Sequence, residues 1–273
     1  MRALRLDKLM WGGRVDRMSS RSSDANTSEE FLAEVEQQIE GMGVDIDAHA
    51  LSRIWIQKTL KHKYAYHFSW MGRPIIQYPQ DILAVQEIIW SIKPDLIIET
   101  GIAHGGSLIF SASMLELNAI SGGPLDAQVL GIDIDIRAHN RAAIEAHPMA
   151  RRIAMIQGSS IAPEVVSEVR MSAAGKRSVL VILDSNHSHD HVLAELEAYA
   201  NLATIGSYCV VFDTVIEDLP DDAFSDRPWG RGNNAKTAVW DFLKRHSEFE
   251  IDKSIQHKLM ITVAPDGYLK RCR

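Results

Sequence analysis

Cysteine is nearly absent from this sequence, and long apolar runs are absent altogether. The 273 residues contain two cysteines, Cys209 and Cys272, which are too few for a disulfide framework. We therefore expect a cytoplasmic protein. No stretch approaches the roughly 18 consecutive apolar residues of a membrane span, and residues 1–20 lack the apolar core of a secretory signal. The sequence thus predicts no contact with a membrane.

Positive charge is also in short supply. Lys and Arg together number 29 and Asp and Glu number 36, which gives a net charge of −7. Because no broad basic face is implied, nucleic acid is not expected as the main partner. Acidic residues can instead hold a cation or a positively charged cofactor. The hydrophobic content of 46% suits one large α/β domain, alone or with an added segment.

The first 81 residues differ in character from the rest. Residues 1–28 are small and polar in part, which is typical of a disordered tail. Residues 29–81 predict a helical and irregular segment, with helices from about residue 29 to residue 41 and from 47 to 61. The stretch 61–81 shows no helical period, and we expect it to lie irregularly over the start of the following domain. Its aromatic residues suit either core packing or a wall of a substrate pocket.

Residues 82–273 alternate between strand and helix patterns, which indicates a mainly parallel sheet covered on both faces. The patterns predict strands at 95–99, 128–134, 152–157, 178–184 and 207–213, and helices at 82–92, 106–118, 137–146, 163–173, 189–203 and 235–246. The end of the chain, from Phe249, reads as two strands with a Pro-Asp-Gly turn after the second. No crossover helix is expected between them, so one of the two should be antiparallel.

The segment LIIETGIAHGGS, residues 96–107, is the most informative part of the chain. An apolar strand ends at Glu99, Gly101 and Gly105 follow, and a helical pattern then begins. Glycine lets the backbone approach a ligand closely, and a helix start offers unpaired N–H groups. The spacing is not the dinucleotide fingerprint G-x-G-x-x-G. It matches the looser E-x-G-x-x-x-G turn of S-adenosylmethionine (SAM) methyltransferases.

Polar residues end the other predicted strands, and ligands of such sheets bind beyond those carboxyl ends. Asp133 closes the second strand, where an acid can accept the two ribose hydroxyls of an adenosine; Asp135 is the weaker candidate. Ser159 and Ser160 follow the third strand and suit the adenine edge, although a simple turn explains them almost as well.

The segment LDSNHSHDHV, residues 183–192, concentrates histidine and aspartate. One interpretation is a zinc site. Another is a hard cation such as Mg²⁺ held by Asp184 and Asp213, which end neighbouring strands, with His187 free to accept a proton. His189 and His191 are more simply read as surface residues at a helix start. The long acidic loop 217–234 predicts a lid over the substrate, with most of its acids solvated.

Taken together, ETGIAHGGS, GIDIDIR, LDSNHSHDHV, GSYCVVFDT, PWG and APDGYL resemble the cephalosporin hydroxylase/rhamnosyl O-methyltransferase family over roughly residues 50–270. The resemblance implies a Rossmann-like class I SAM methyltransferase fold, with a seven-stranded, mostly parallel sheet, an antiparallel C-terminal strand and an N-terminal helical segment. It implies a metal-dependent O-methyltransferase that acts on a hydroxyl of a sugar or polyhydroxylated natural product. Its relatives form homo-oligomers, and the partner is a small-molecule acceptor.

The resemblance also implies roles for particular residues. SAM would be held from Glu99 to Ser107 and at Asp133, and Mg²⁺ at Asp184 and Asp213. His187, three residues after the first metal-binding Asp, would be the general base. Sugar-methylating members carry Glu-Asp at the end of the fifth strand, whereas this chain has Phe212-Asp213. Thr214 or a water would then complete the metal shell.

Three other functions remain open from the sequence. A hydroxylase would need iron on two His and one carboxylate, for which His187, His189 and Asp184 are candidates. A non-catalytic SAM-binding subunit would bind SAM without transferring the methyl group. A Rossmann dehydrogenase is disfavoured by the glycine spacing.

Overall fold

The computed structural model describes residues 24–273. The predicted tail therefore lies outside the described residues up to position 23, and residues 24–28 belong to the first helix. The described residues divide into two compact units, residues 24–38 and Ile39–Arg273. The predicted division at residues 28 and 81 stays a prediction. No helix in the described part of the chain combines the length and apolar character needed to cross a bilayer.

The α-helices of the described residues are α1 Asp24–Val44, α2 Ile46–Leu60, α3 Pro79–Ile92, α4 Gly106–Ile120, α5 Ala138–Glu145, α6 Pro163–Ala173, α7 His189–Tyr199, α8 Ala235–Leu243 and α9 Lys253–Leu259. Several begin where the sequence supplies a stop or a cap. Pro79 and Pro163 stand at the first position of their helices. Asn234 accepts the Lys236 and Thr237 N–H groups in a capping box at the start of α8.

The strands are β1 Phe68–Trp70, β2 Arg73–Ile75, β3 Leu96–Thr100, β4 Gln128–Asp133, β5 Ile153–Gln157, β6 Val179–Leu183, β7 Tyr208–Val211, β8 Phe249–Ile251 and β9 Tyr268–Arg271. Seven of them form one sheet in the order β5-β4-β3-β6-β7-β9-β8. All neighbours pair in parallel except β9, which is antiparallel to both β7 and β8. The predicted fold class is therefore confirmed.

The sheet buries both of its faces, as the near-continuous apolar strands predict. Along β3 the side chains alternate, so that Ile97 packs with α3 and α4 whereas Leu96 and Ile98 pack with α6, α7 and α8. All five residues of β3 are buried. Strand order reverses between β3 and β6, which places the loops after β3, β6 and β7 at one crevice.

The segment 61–81 is more regular than expected. It contains the antiparallel hairpin β1–β2, preceded by a short 3₁₀ helix at Tyr64–His67. Trp70 donates its indole N–H to the Ser113 hydroxyl at 2.9 Å and packs edge-on against Phe110. These contacts fix the hairpin on α4 and explain why three-residue strands persist without a helical or long strand pattern.

The prediction for the C-terminal segment was partly wrong. A helix, α9, occupies Lys253–Leu259, where the sequence predicted part of a second strand. Asp252 caps this helix by accepting the Ser254 N–H. The second strand is β9, which follows the Pro-Asp-Gly turn instead of preceding it. The expectation of one antiparallel strand is confirmed.

Candidate active site

The loop after β3 requires glycine at two positions. Gly101 has a φ of +90°, and a Cβ there would lie 2.0 Å from the carbonyl oxygen of Asp184. Gly105 has a φ of +82°, and its Cβ would meet the Ile144 side chain at 2.4 Å. A side chain at Gly101 would force two backbone segments apart, and at both positions the positive φ disfavours a residue with a Cβ. The predicted cradle is therefore a tightly built turn between β3 and α4.

Glu99 lies beneath the cradle and is almost completely buried. Its Oε1 accepts a hydrogen bond from the Ser107 hydroxyl, whereas its Oε2 has no partner among the described residues. Burial raises the pKa of Glu99 to about 7. A buried carboxylate oxygen without a donor is costly, so a ligand that brings a donor or a positive charge fits this place.

Asp133 lies at the end of β4 and holds the cradle loop. Its Oδ2 accepts the N–H groups of Ile102 at 2.8 Å and Ala103 at 3.2 Å, and its Oδ1 accepts the Asp135 N–H at 3.0 Å. The carboxylate therefore spends most of its accepting capacity on the protein backbone. It retains room for one further donor, so its predicted ribose contact stays a prediction.

A clamp that the sequence analysis missed fixes the other side of the cradle. Arg73 of the hairpin donates to the carbonyl oxygen of His104 at 3.0 and 2.6 Å and to the Asn140 side chain at 3.0 Å. Asn140 in turn donates to the carbonyl oxygen of Ala103 at 2.9 Å. Ala103 has a φ of +45°, which is rare for a residue with a Cβ. No local motif marks Arg73 or Asn140, because the contacts join three distant segments.

Asp184, His187 and Asp213 come together beyond β6 and β7. One ligand atom from each lies within 4.8 Å of the others, and no second such group of three His, Cys, Asp or Glu occurs among the described residues. His187 Nε2 is 2.9 Å from Asp213 Oδ2. Asp213 has a φ of +57°, so the chain turns sharply directly after β7.

The electrostatics of this cluster follow from its burial and its paired acids. Burial raises the pKa of Asp184 well above its usual value, and the neighbouring Asp213 carboxylate adds to the shift. Burial lowers the pKa of His187, but the charge and hydrogen bond of the Asp213 carboxylate, together with the Glu195 carboxylate, bring the pKa above its usual value. Two facing carboxylates are relieved by a cation, and oxygen donors are what hard divalent cations prefer. The donor set thus fits Mg²⁺.

Thr214 is placed differently from the other two predicted metal ligands, Asp184 and Asp213. Its hydroxyl donates to the carbonyl oxygen of Pro265 at 2.6 Å, and the residue is completely buried. Phe212, which stands where a Glu was expected, is also buried and offers no ligand atom. Asp184 and Asp213 are therefore the carboxylates of the site, and the role of Thr214 stays a prediction.

The two other histidines lie at the start of α7, as expected, but both are half-buried and hydrogen-bonded instead of fully at the surface. The His189 ring hydrogen-bonds the Thr237 hydroxyl at 2.8 Å, away from the cluster. The His191 ring lies 3.1 Å from the Ser160 hydroxyl and 3.5 Å from the buried Glu195 carboxylate. His191 thereby fixes Ser160 beside the crevice. Ser159 forms the turn into α6, since its carbonyl oxygen accepts the Ala162 N–H.

A cavity of about 810 Å³ opens in front of Asp184, His187 and Asp213. Trp229 forms one side, with its ring edge-on to the His187 ring at 4.9 Å between centroids, and Arg227 lies over the Trp229 ring at 5.5 Å. Tyr64 and Tyr78 also line the cavity, and their rings meet edge-on at 5.4 Å between centroids. Trp55, which does not line the cavity, packs edge-on against both rings at 4.9 and 5.8 Å. Tyr64 therefore packs against other aromatic rings and also lines the cavity. These are the two alternatives that the sequence left open for the aromatic residues of this stretch.

The loop 217–234 is closed at its base. Glu217 Oε2 accepts the Gly232 N–H at 2.7 Å and the Asn234 amide at 2.6 Å, and Lys236 pairs with Asp218 at 2.6 Å. Glu217 and Asp218 therefore hold the loop in place and are the exceptions to the expectation that most of its acids are solvated. Asp221, Asp222 and Asp226 are exposed, as predicted. The tip of the loop carries Trp229 to the cavity, in keeping with the predicted lid.

Comparison with known proteins points to one family. A family model, rhamnosyl O-methyltransferase/CmcI, matches residues 62–272. The rhamnosyl O-methyltransferase of Mycobacterium leprae (strain TN) is 30% identical over 209 residues, which cover 74% of this chain and 82% of that protein. The enzyme of the same name from Mycobacterium bovis (strain BCG / Pasteur 1173P2) is 29% identical over 208 residues, or 74% of this chain and 78% of that protein.

Solved structures share the fold. A Mg-SAM structure of CmcI has a TM-score of 0.53 and 18% identity, and covers 76% of this chain and 78% of its own. An apo-structure of CmcI has a TM-score of 0.52 and 19% identity, with 76% and 77% covered. At this level of identity the likeness concerns the architecture, and it agrees with the seven-stranded order described above.

Proposed function

This chain belongs to the rhamnosyl O-methyltransferase/CmcI family, and we propose that it transfers the methyl group of SAM to a hydroxyl of a sugar or polyhydroxylated natural product. The observation that carries the proposal is the meeting of Asp184, His187 and Asp213 at the head of a large cavity, directly beside the glycine cradle. Gly101 packs against the backbone of Asp184, so the cofactor side and the acceptor side share one wall.

The cradle supports SAM as the cofactor. The unpartnered Oε2 of Glu99 and the glycine turn leave a place for a ligand with donors and positive charge. Asp133 fixes this turn through two backbone N–H groups and retains one accepting position for a ribose hydroxyl. We propose that SAM is held by Glu99, Gly101, Gly105, Ser107 and Asp133, with Ser159 and Ser160 at its adenine end.

Asp184 and Asp213 would hold Mg²⁺, because their oxygens converge and their mutual repulsion favours a cation. When bound, the ion would supply positive charge that favours the ionised form of an acceptor hydroxyl. As a third metal ligand, Thr214 would coordinate the ion through its hydroxyl oxygen while the hydroxyl proton still donates to the carbonyl oxygen of Pro265.

His187 would accept the acceptor's proton at Nδ1, because its Nε2 lies 2.9 Å from Asp213 Oδ2 and is paired with that carboxylate. Its ring is held in the cavity by Trp229 on one side and by Asp213 on the other. The carboxylate raises the pKa of His187 above that of a free histidine, which makes it a better proton acceptor. The aromatic walls exclude water, and the fixed elements align the acceptor oxygen with the methyl group for a single displacement.

The donor set argues against the hydroxylase alternative. An iron site of two His and one carboxylate would need His189, whose ring instead bonds Thr237. The cluster has one His and two carboxylates. A non-catalytic subunit remains an outcome of the experiment below. A homo-oligomer and a cytoplasmic location stay predictions.

The test uses the full chain with SAM, a methyl rhamnoside as acceptor, and either Mg²⁺ or EDTA. We expect transfer of labelled methyl with Mg²⁺ and none with EDTA. Asp184→Asn should abolish transfer while calorimetry shows S-adenosylhomocysteine binding within about twofold of wild type, because the cradle is unchanged. Full activity of Asp184→Asn in EDTA would refute the metal role. Cofactor binding without transfer to any sugar or polyol would favour the non-catalytic subunit.

A further inference from the structure

Gln77 lies in the connection between β2 and α3 and lines the same cavity as Asp184, His187 and Asp213. Only 6% of the residue is exposed. Its side chain makes no hydrogen bond with any part of the chain that the structure describes. An amide has one acceptor and two donors, and those of Gln77 are not among the fully enclosed polar atoms, so they are open to the cavity that the residue lines. Such a group is explained if a ligand completes it.

The surroundings of Gln77 restrict what that ligand is. Ile75 and Tyr78, on either side in sequence, are buried and hold the connection in place. Gly106, at the end of the glycine cradle, packs directly against the backbone of Pro74 and Ile75. Gln77, two residues after Ile75, therefore lies between the cradle and the cavity that it lines. The amide therefore faces the space in front of the acid cluster, where the hydroxyl to be methylated must lie.

We propose that Gln77 binds the acceptor by hydrogen bonds to a hydroxyl of its sugar ring, and so contributes to the choice of acceptor. This inference rests on the proposed function, since it assumes a hydroxylated acceptor in the cavity. The amide can donate to one oxygen and accept from a neighbouring hydroxyl, which matches adjacent ring hydroxyls. A site built to pair a hydroxyl discriminates strongly against an acceptor that lacks it.

Gln80 offers a matched control. It is the same residue type three positions later, its side chain likewise makes no hydrogen bond within the described part of the chain, and it is not among the residues that line the cavity. Gln77→Leu and Gln80→Leu therefore remove comparable amides, one inside the cavity and one outside it. Neither substitution breaks a hydrogen bond of the Gln77 side chain or of Gln80 Oε1. We therefore expect both variants to have the melting temperature of wild type or a higher one.

The experiment measures methyl transfer to methyl rhamnoside and to its monodeoxy analogues by wild type and both variants. Gln77→Leu should lower kcat/KM for the rhamnoside about tenfold or more and leave S-adenosylhomocysteine binding unchanged. One deoxy analogue should be poorer than the rhamnoside for wild type but equal to it for Gln77→Leu. Gln80→Leu should behave as wild type.

The outcomes separate the two proposals. If Gln77→Leu keeps the wild-type kcat/KM, the role of Gln77 is overturned while the methyltransferase proposal stands. The same conclusion follows if the variant loses cofactor affinity instead of acceptor selectivity. A melting temperature of Gln77→Leu below that of Gln80→Leu also overturns the role of Gln77, because a contribution to packing then explains the loss of activity. A wild-type chain that binds the cofactor but methylates neither rhamnoside nor other polyols refutes the proposed function itself.

Discussion

His187 is the residue whose role depends most on its neighbours. The sequence placed it three positions after Asp184, and the fold brings Asp213 to 2.9 Å from its ring nitrogen. The same contact has two consequences. It raises the pKa of His187, and it puts the ring among the atoms that surround a cation. Because Nε2 is paired with Asp213, the proposed base function requires the other ring nitrogen, Nδ1, to stay free for the acceptor's proton.

Replacing His187 by Ala tests this role. We expect kcat to fall by roughly 10²- to 10⁴-fold, the scale of a general base, with little change in S-adenosylhomocysteine binding. His189→Ala is the matched control, since that ring lies two residues away but bonds Thr237 outside the cluster. Steady-state kinetics and calorimetry measure both effects. Equal losses in the two variants would mean that the segment acts through its fold and not through a base.

At the scale of elements, the hairpin β1–β2 matters more than its length indicates. Three contacts bind it to the rest of the domain: Trp70 to Ser113, Arg73 to the cradle, and the carbonyl oxygen of Met71 to the His147 ring at 3.1 Å. Because Arg73 and Asn140 hold the carbonyl oxygens of two successive cradle residues, the peptide planes of the turn are fixed before a ligand arrives. Such preorganisation lowers the entropy lost on binding.

Arg73→Ala should therefore weaken S-adenosylhomocysteine binding by about tenfold, since Ala103 loses the support for its left-handed conformation. The acceptor KM at saturating SAM should change much less. Arg151→Ala is the control, because Arg151 makes an exposed pair with Glu116 and such pairs contribute little. Calorimetric titration of both variants gives the comparison, and an unchanged affinity in Arg73→Ala would show that the clamp is dispensable.

Regular elements could be predicted from the sequence wherever periodicity was strong. The strands β3, β4, β6 and β7 have apolar runs bounded by polar residues, and their observed bounds lie within a residue or two of those expected. The hairpin β1–β2 and the helix α9 were missed because each is short and is set by tertiary contacts instead of local pattern. Motif spacing identified the acid cluster, whereas Gln77 became visible only through its burial and lack of a partner.

At the scale of the whole molecule, one buried carboxylate links segments that are nearly 190 residues apart. Asp81 in α3 accepts hydrogen bonds from the Thr262 hydroxyl, from the Val263 N–H at 3.0 Å and from the Tyr268 hydroxyl at 2.7 Å. It joins the first helix of the parallel domain to the closing strand β9. Val263 in turn accepts the Val215 N–H and lines the cavity, so this junction also supports the acceptor side.

Burial raises the pKa of Asp81 from 3.8 to about 6, despite these three donors. The folded state therefore holds a proton that the unfolded chain releases between these two pH values. By linkage, the stabilisation that this proton gives is complete below about pH 4 and is lost as the pH rises to about 6. Glu99 acts in the same direction, since burial raises its pKa to about 7.

We accordingly expect the free energy of unfolding of the wild-type chain to fall between pH 4.5 and pH 7.5. Asp81→Asn removes the ionisable group and keeps an oxygen for the Val263 N–H, while the hydroxyls of Thr262 and Tyr268 can rotate to accept. The fall over this interval should be smaller in the variant by on the order of 2 kcal/mol. Urea unfolding at several pH values measures it. Parallel pH profiles for the two proteins would mean that Asp81 stays ionised in the folded chain, held by its three donors alone.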